Sequence, residues 1–145
     1  MRRKIIDCFT FFNELDLLKF RLAELYDKVD HFILIESTKT FTGQVKPLYY
    51  SLNKDEFEKW NDKIIHVVVT DMPINLPQYK IDELVALTEI RNINWVREHH
   101  QRRSVVKGLN RLNLNFDDVI IMSDLDEIPD MDIVSNNIKF LDMGP

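Results

Sequence analysis

The residues with the clearest chemical potential are two aspartates that directly follow a run of apolar residues. The segment 119–122, Val-Ile-Ile-Met, leads into Ser123, Asp124, Leu125 and Asp126. In an extended segment, residues two apart project to the same side, so both carboxylates face one way and repel each other unless a cation lies between them. Carboxylate oxygens are ligands that hard divalent cations prefer. The spacing therefore predicts a divalent-metal site at Asp124 and Asp126.

Four interpretations of this aspartate pair place different demands on the neighbouring residues. A calcium loop of the EF-hand type needs glycine at position 6 and glutamate at position 12, and counting from Asp124 places Pro129 and Ser135 there, which excludes it. A metal-dependent phosphohydrolase also carries such a pair after an apolar strand, although residues 125–129 lack the small and hydroxyl residues that normally follow. In a nucleotide-sugar site, the carboxylates hold Mn²⁺ or Mg²⁺, which neutralises the diphosphate leaving group. A solvated surface turn is the fourth interpretation.

The elements that must position this pair follow from the apolar pattern of the chain. Leu15, Leu18, Leu22 and Leu25 form one stripe of an amphipathic helix, for which Asn13 is the expected N-cap. The wholly apolar segment 119–122 suits a central strand that is covered on both faces. Strands alternating with helices indicate an α/β domain with a mostly parallel sheet, whose ligands bind at the carboxyl ends of the strands. The predicted strands are 4–9, 31–35, 64–69 and 119–122, and the other predicted helices are 54–60 and 82–109.

Length and charge narrow the class of protein further. The chain has 145 residues, which favours a single domain over 1–145, and 19 Lys and Arg against 24 Asp and Glu give a net charge of −5. An acidic chain with one short basic cluster, 97–107, is not typical of a nucleic-acid-binding protein. A lone cysteine, Cys8, excludes an internal disulfide. With no signal peptide and no apolar run of membrane-spanning length, we expect a soluble cytoplasmic protein.

Five short motifs, in a fixed order, carry a resemblance to a known family. Together they are similar to glycosyltransferase family 17. The matching segments are 7–14 (DCFTFFNE), 32–37 (FILIES), 40–43 (TFTG) with 46–48 (KPL), 97–98 (RE) with 101–102 (QR), and 123–129 (SDLDEIP).

The resemblance implies a GT-A-type, Rossmann-like fold that binds a nucleotide sugar, with UDP-GlcNAc as the favoured donor. It also implies a glycan acceptor, as in N-linked glycan biosynthesis, a bound Mn²⁺ or Mg²⁺, and inversion at the anomeric carbon. A metal-dependent phosphohydrolase, and a domain that binds a nucleotide sugar or carbohydrate without catalysis, are the alternatives. The general base of an inverting transfer is expected beyond Pro145, so we expect this chain to be the donor-binding part of a longer enzyme.

Several positions acquire expected roles from the resemblance. Asp124 and Asp126 would position the metal, and Asp124 would also contact the donor. Glu36 lies where an acidic group often approaches the nucleoside, although it is equally well explained as a surface residue at a strand end. Arg97 would bind the diphosphate or lie exposed on its helix. The full set of expected donor-binding residues is Asp124, Glu36, Arg97, Asn13 and Glu14, of which Asn13 and Glu14 also suit a helix start.

Overall fold

The computed structural model describes residues 2–88 and 93–143, and its centre is a parallel β-sheet. Four strands lie in the order β3-β2-β1-β4, and each neighbouring pair is parallel. The predicted α/β class with a mostly parallel sheet is therefore confirmed. The strands are β1 (Ile5–Phe11), β2 (His31–Ser37), β3 (Ile64–Val69) and β4 (Val119–Asp124).

Helices connect the strands and cover both faces of the sheet. The short helix predicted over 54–60 is a 3-10 helix over Lys54–Lys63 that leads directly into β3. The α-helices are α1 (Leu15–Leu25), α2 (Tyr49–Leu52), α3 (Gln78–Thr88), α4 (Ile93–Arg103), α5 (Val105–Leu109) and α6 (Met131–Asp142). Among residues 2–88 and 93–143, no helix has both the length and the apolar character needed to cross a membrane.

Alternation along the central strands produces one apolar core on each face of the sheet. Phe9 of β1 and Leu34 of β2 pack with Leu18 and Leu22 of α1, as the leucine stripe of that helix predicts. Residues of opposite parity, such as Ile33, form the second core with part of α5. Because side chains in a strand alternate between faces, Asp7 of β1 must point towards α1 together with Phe9.

Three sequence predictions about these elements are wrong. The helix predicted over 82–109 starts earlier, at Gln78, and is interrupted at Ser104, whose hydroxyl donates to the carbonyl oxygen of His100. Residues 89–92 of that prediction lie outside the described part of the chain. Glu14, not Asn13, is the N-cap of α1, and it forms no side-chain capping bond. Strand β4 is an edge strand among the described residues: it pairs only with β1, and Ile120 is 47% exposed.

The close approach of α5 to the sheet yields a testable prediction. A Cβ atom on Gly108 would lie 2.7 Å from Cγ2 of Ile33 and 3.0 Å from Cγ2 of Val67, and both neighbours are buried. We expect Gly108→Val to lower the free energy of unfolding by about 1–3 kcal/mol, because the added side chain overpacks this core. Urea denaturation measures the change. The exposed neighbour Val106, changed to Ala, is the control, and an equal loss in both variants would contradict the packing argument.

Candidate metal and donor site

A cleft of about 630 Å³ opens at the carboxyl ends of β1 and β4. Its size lies within the range of roughly 300–1,000 Å³ that is usual for small-molecule sites. Thr10 and Phe11 at the end of β1 form one part of its wall, and the loop 39–42 forms another. Glu98 and Gln101 of α4 line it as well. The cleft therefore lies at the edge of the sheet where a parallel α/β fold is expected to bind ligands.

Three carboxylates gather where β4 enters the cleft. Asp124, Asp126 and Glu127 each offer an oxygen, and these oxygens lie within 4.8 Å of one another. Two oxygens bound to one Mg²⁺ at about 2.1 Å are at most about 4.2 Å apart, so small side-chain rotations would bring this set to ligand distance. An all-oxygen donor set suits Mg²⁺ or Mn²⁺. The residues present thus fit the metal that was predicted at Asp124 and Asp126, and Glu127 is a third candidate ligand.

The turn that carries these carboxylates is closed by its own hydrogen bonds. The backbone N–H of Glu127 donates to the carbonyl oxygen of Asp124 at 2.9 Å, and the hydroxyl of Ser123 donates to the carbonyl oxygen of Glu127 at 2.8 Å. The N–H of Asp124 donates to Oε1 of Glu127 at 3.0 Å. These bonds bend the chain back on itself, so that three acidic side chains share one small volume.

Arg21 fixes this turn from inside the protein. Its side chain comes from α1 and is fully buried. Nη1 donates to the carbonyl oxygens of Asp124 at 2.6 Å and Leu125 at 3.1 Å, and Nη2 donates to the hydroxyl of Ser123 at 2.8 Å. One guanidinium therefore holds two carbonyl oxygens and one hydroxyl of the turn in fixed positions. The position of the acidic turn depends on α1.

A buried carboxylate balances the charge of Arg21. Nε and Nη2 donate to the two carboxylate oxygens of Asp7 at 2.9 and 2.7 Å, and both side chains are 0% exposed. The guanidinium also lies 4.7 Å from the ring centroid of Phe9. A two-point ion pair of this kind fixes both orientation and distance. It ties β1, α1 and the turn after β4 into one unit.

Glu14 and Asn13 have different positions relative to the cleft. Glu14 lines the cleft at the start of α1, where a donor contact was predicted. Asn13 is exposed and is absent from the described cleft wall. The position of Glu14 is compatible with the predicted contact, whereas Asn13 would need a ligand that extends beyond the cleft.

Glu36 is fully buried and has structural partners. Its Oε1 accepts from the backbone N–H of Tyr50 at 2.9 Å, and its Oε2 lies 2.8 Å from Nε2 of His66. Lys46 is 3.9 Å from Oε1 and donates to backbone carbonyl oxygens, and burial lowers its pKa. Glu36 does not line the cleft, and its hydrogen bond with the backbone of Tyr50 anchors α2. The predicted approach to a nucleoside is not supported by this geometry.

Arg97 is also buried, and its partners are backbone groups of the protein. It is 6% exposed, and its guanidinium donates to the carbonyl oxygens of Phe41 at 2.9 Å, Pro73 at 2.7 Å and Ile74 at 2.7 Å. It packs against Gly43, where a Cβ atom would lie 2.9 Å from Cζ of Arg97. Because Phe41 lines the cleft, Arg97 holds that wall in place through the main chain. A diphosphate would have to displace these bonds to reach it.

Sequence reasoning missed two arginines and a glutamate. Arg21 lies between Leu18 and Leu22 in the apolar stripe of α1, and a basic residue inside such a stripe signals a buried partner. Glu127 follows the aspartate pair directly, but the spacing of the pair does not indicate it as a ligand. Arg102 donates to Oδ1 of Asp124 at 2.7 Å, a contact that joins α4 to the acidic turn. No local signal in the sequence predicts that last contact.

The buried ion pair generates a stability prediction. We expect Arg21→Met to lower the free energy of unfolding by about 3–5 kcal/mol, because the carboxylate of Asp7 is left buried without a partner. The double variant Asp7→Leu with Arg21→Met is expected to recover part of that loss, since neither buried charge remains. Urea denaturation measures both, with exposed Arg103→Met as the matched control. A double variant that is less stable than Arg21→Met alone would contradict the assignment.

Comparisons with known proteins identify the family of this chain. The family described as Glycosyltransferase family 17 matches residues 1–143. The chain is 33% identical over 134 residues to the β-1,4-mannosyl-glycoprotein 4-β-N-acetylglucosaminyltransferases of Rattus norvegicus and Homo sapiens. Each alignment covers 90% of this chain and 22% of the relative, so the chain spans about a fifth of their length. No solved structure matches. The chain belongs to glycosyltransferase family 17.

Proposed function

We propose that this chain forms the donor-binding part of a glycosyltransferase that transfers N-acetylglucosamine from UDP-GlcNAc to a glycan hydroxyl with inversion. Membership of family 17 supports the class of reaction, and the names of the relatives support the sugar. We also propose that the parallel sheet is the nucleotide-binding half of a GT-A-type domain. The order β3-β2-β1-β4, with the acidic turn after β4, is compatible with that architecture.

The observation that carries the proposal is the acidic cluster in the wall of the cleft. Asp124 and Asp126 both line the cleft, and Glu127 offers a third oxygen. Three carboxylates in one place repel one another unless a cation neutralises them. Bound Mn²⁺ or Mg²⁺ would supply charge neutralisation for the departing nucleoside diphosphate. The roles of this chain are to hold that cation at the carboxyl end of β4 and to present the donor to it.

The remainder of the cleft wall has the character of a site for a flat ring. Phe12 and Phe41 are 41% and 36% exposed, and both line the cleft. Leu17 of α1 adds a further apolar side chain. Aromatic faces bind planar bases by stacking and sugar rings by apolar contact. We assign the nucleobase and sugar to this apolar wall and the diphosphate to the acidic end.

The donor is tested by titration calorimetry. We expect the purified chain to bind UDP-GlcNAc in the presence of Mn²⁺ and to bind it at least about tenfold more weakly without the metal, which corresponds to about 1.4 kcal/mol. UDP-glucose and UDP-galactose, titrated under the same conditions, rank the sugar. Metal-independent binding, or no binding by a folded chain, would contradict the donor site. Steady phosphate release from a sugar phosphate would instead favour a phosphohydrolase.

The ligand set is tested by neutral replacements. Asp124→Asn, Asp126→Asn and Glu127→Gln each remove one charge and retain the shape of the side chain. We expect the two Asn variants to abolish metal-dependent binding of UDP-GlcNAc and the Gln variant to weaken it about tenfold, because fewer anionic oxygens remain for the metal. Calorimetry measures the binding, and thermal unfolding checks the fold. Asp132→Asn, an exposed acidic residue on α6, is the matched control. Unchanged binding in both Asn variants would overturn the ligand assignment.

A further inference from the structure

Arg102 is the basic side chain that contacts the acidic cluster from its exposed side. Its Nη2 lies 2.7 Å from Oδ1 of Asp124 and 3.6 Å from Oε1 of Glu98. The side chain of Arg102 is 40% exposed, and that of Asp124 is 50% exposed. Glu98, one helical turn earlier on α4, lines the cleft. The guanidinium therefore lies at the margin of the cleft, between a predicted metal ligand and a residue of the cleft wall.

We propose that Arg102 binds the diphosphate of the donor, and that it does so by releasing Asp124 when a divalent cation occupies the acidic cluster. The inference rests on the proposed function and assigns a diphosphate-binding residue within that site. Without the cation, Arg102 acts as the counter-charge of Asp124. With the cation and the donor bound, the guanidinium contacts phosphate oxygens, and Glu98 keeps it beside the cleft.

The solvent exposure of the Arg102 pair makes this exchange feasible. An exposed ion pair contributes little stability and breaks readily, whereas a buried one cannot lose a partner without leaving a charge unpaired. Arg21 and Arg97 are buried and donate to backbone carbonyl oxygens. Among the described residues, Arg102 is thus the arginine at the acidic cluster that can change its partner.

Electrostatics gives the exchange its direction. A divalent cation bound to Asp124 repels a guanidinium held on the same carboxylate, so metal and Arg102 compete for that residue. A diphosphate brings negative charge to the same place, and the planar fork of arginine matches two phosphate oxygens. The diphosphate of the donor therefore ends the competition for Asp124, because it attracts the metal ion and the guanidinium of Arg102 at the same time.

This model predicts effects of opposite sign on two ligands. Arg102→Gln is expected to bind Mn²⁺ about two- to fivefold more tightly, because a competing positive charge is gone. The same variant is expected to bind UDP at saturating Mn²⁺ about tenfold or more weakly, because a charge-assisted phosphate contact is lost. A purely structural role would shift both affinities in the same direction or leave both unchanged.

Titrations of the full chain with Mn²⁺ alone and with UDP plus Mn²⁺ test the proposal. Arg103→Gln, which removes the same charge from an exposed neighbouring position, is the matched control. Arg102→Lys keeps the charge without the fork, so it is expected to bind Mn²⁺ like the unchanged chain and UDP with intermediate affinity. Circular dichroism verifies that each variant is folded.

The outcomes separate the two proposals. Opposite shifts for Mn²⁺ and UDP in Arg102→Gln, absent in Arg103→Gln, would support the exchange. If the unchanged chain binds both ligands and the Arg102 and Arg103 variants behave alike, the inference about Arg102 is wrong while the donor site stands. If the unchanged folded chain binds neither Mn²⁺ nor UDP, the proposed function is wrong, and the role of Arg102 is overturned with it.

Discussion

The buried ion pair between Asp7 and Arg21 is the interaction on which the site depends. Placing a charged pair inside an apolar layer costs desolvation free energy, and only complete hydrogen bonding offsets it. Asp7 uses both carboxylate oxygens on Arg21, and the guanidinium directs its other donors to the turn after β4. The turn therefore has one position that satisfies all these groups. Its three carboxylates can stay together at the surface because their backbone is held from below.

Strand register extends this constraint across the cleft. In the parallel pairing of β1 with β4, Asp124 lies opposite Thr10, and in the pairing with β2, Thr10 lies opposite Ile35. The carboxyl ends of three strands consequently meet at one edge, from which the chain enters α1 and the loop 39–42. A shift of one residue would turn every side chain of a strand to the other face of the sheet, so the two apolar cores also fix this register.

The sequence predicts the strands well because a buried strand requires a local run of apolar residues, which is visible in the sequence. All four predicted strands occur, β3 with the predicted bounds, and the leucine stripe of α1 packs into the core as expected. No comparable local pattern identifies the partner of a charged side chain. Arg97 and Arg102 are both arginines of α4 and lie five residues apart. Arg97 is only 6% exposed and donates to carbonyl oxygens, whereas Arg102 donates to Asp124. Glu36 lies close to the end of β2, but α2 folds over it and buries it. Such partners come from distant segments, which periodicity cannot identify.

The burial of Arg21, Arg97 and Arg102 determines what each of them does at the cleft. Arg21 holds the acidic turn and Arg97 holds the Phe41 wall, each through backbone carbonyl oxygens. Groups fixed in this way are preorganised, so a ligand would not have to supply the free energy of ordering them. Charge that must respond to a ligand has to remain outside, where changing partner costs little. The side chains of Asp124, Asp126 and Arg102 meet that condition, so the charged end of this cleft lies at its solvent-exposed surface, while the buried core keeps the cleft rigid.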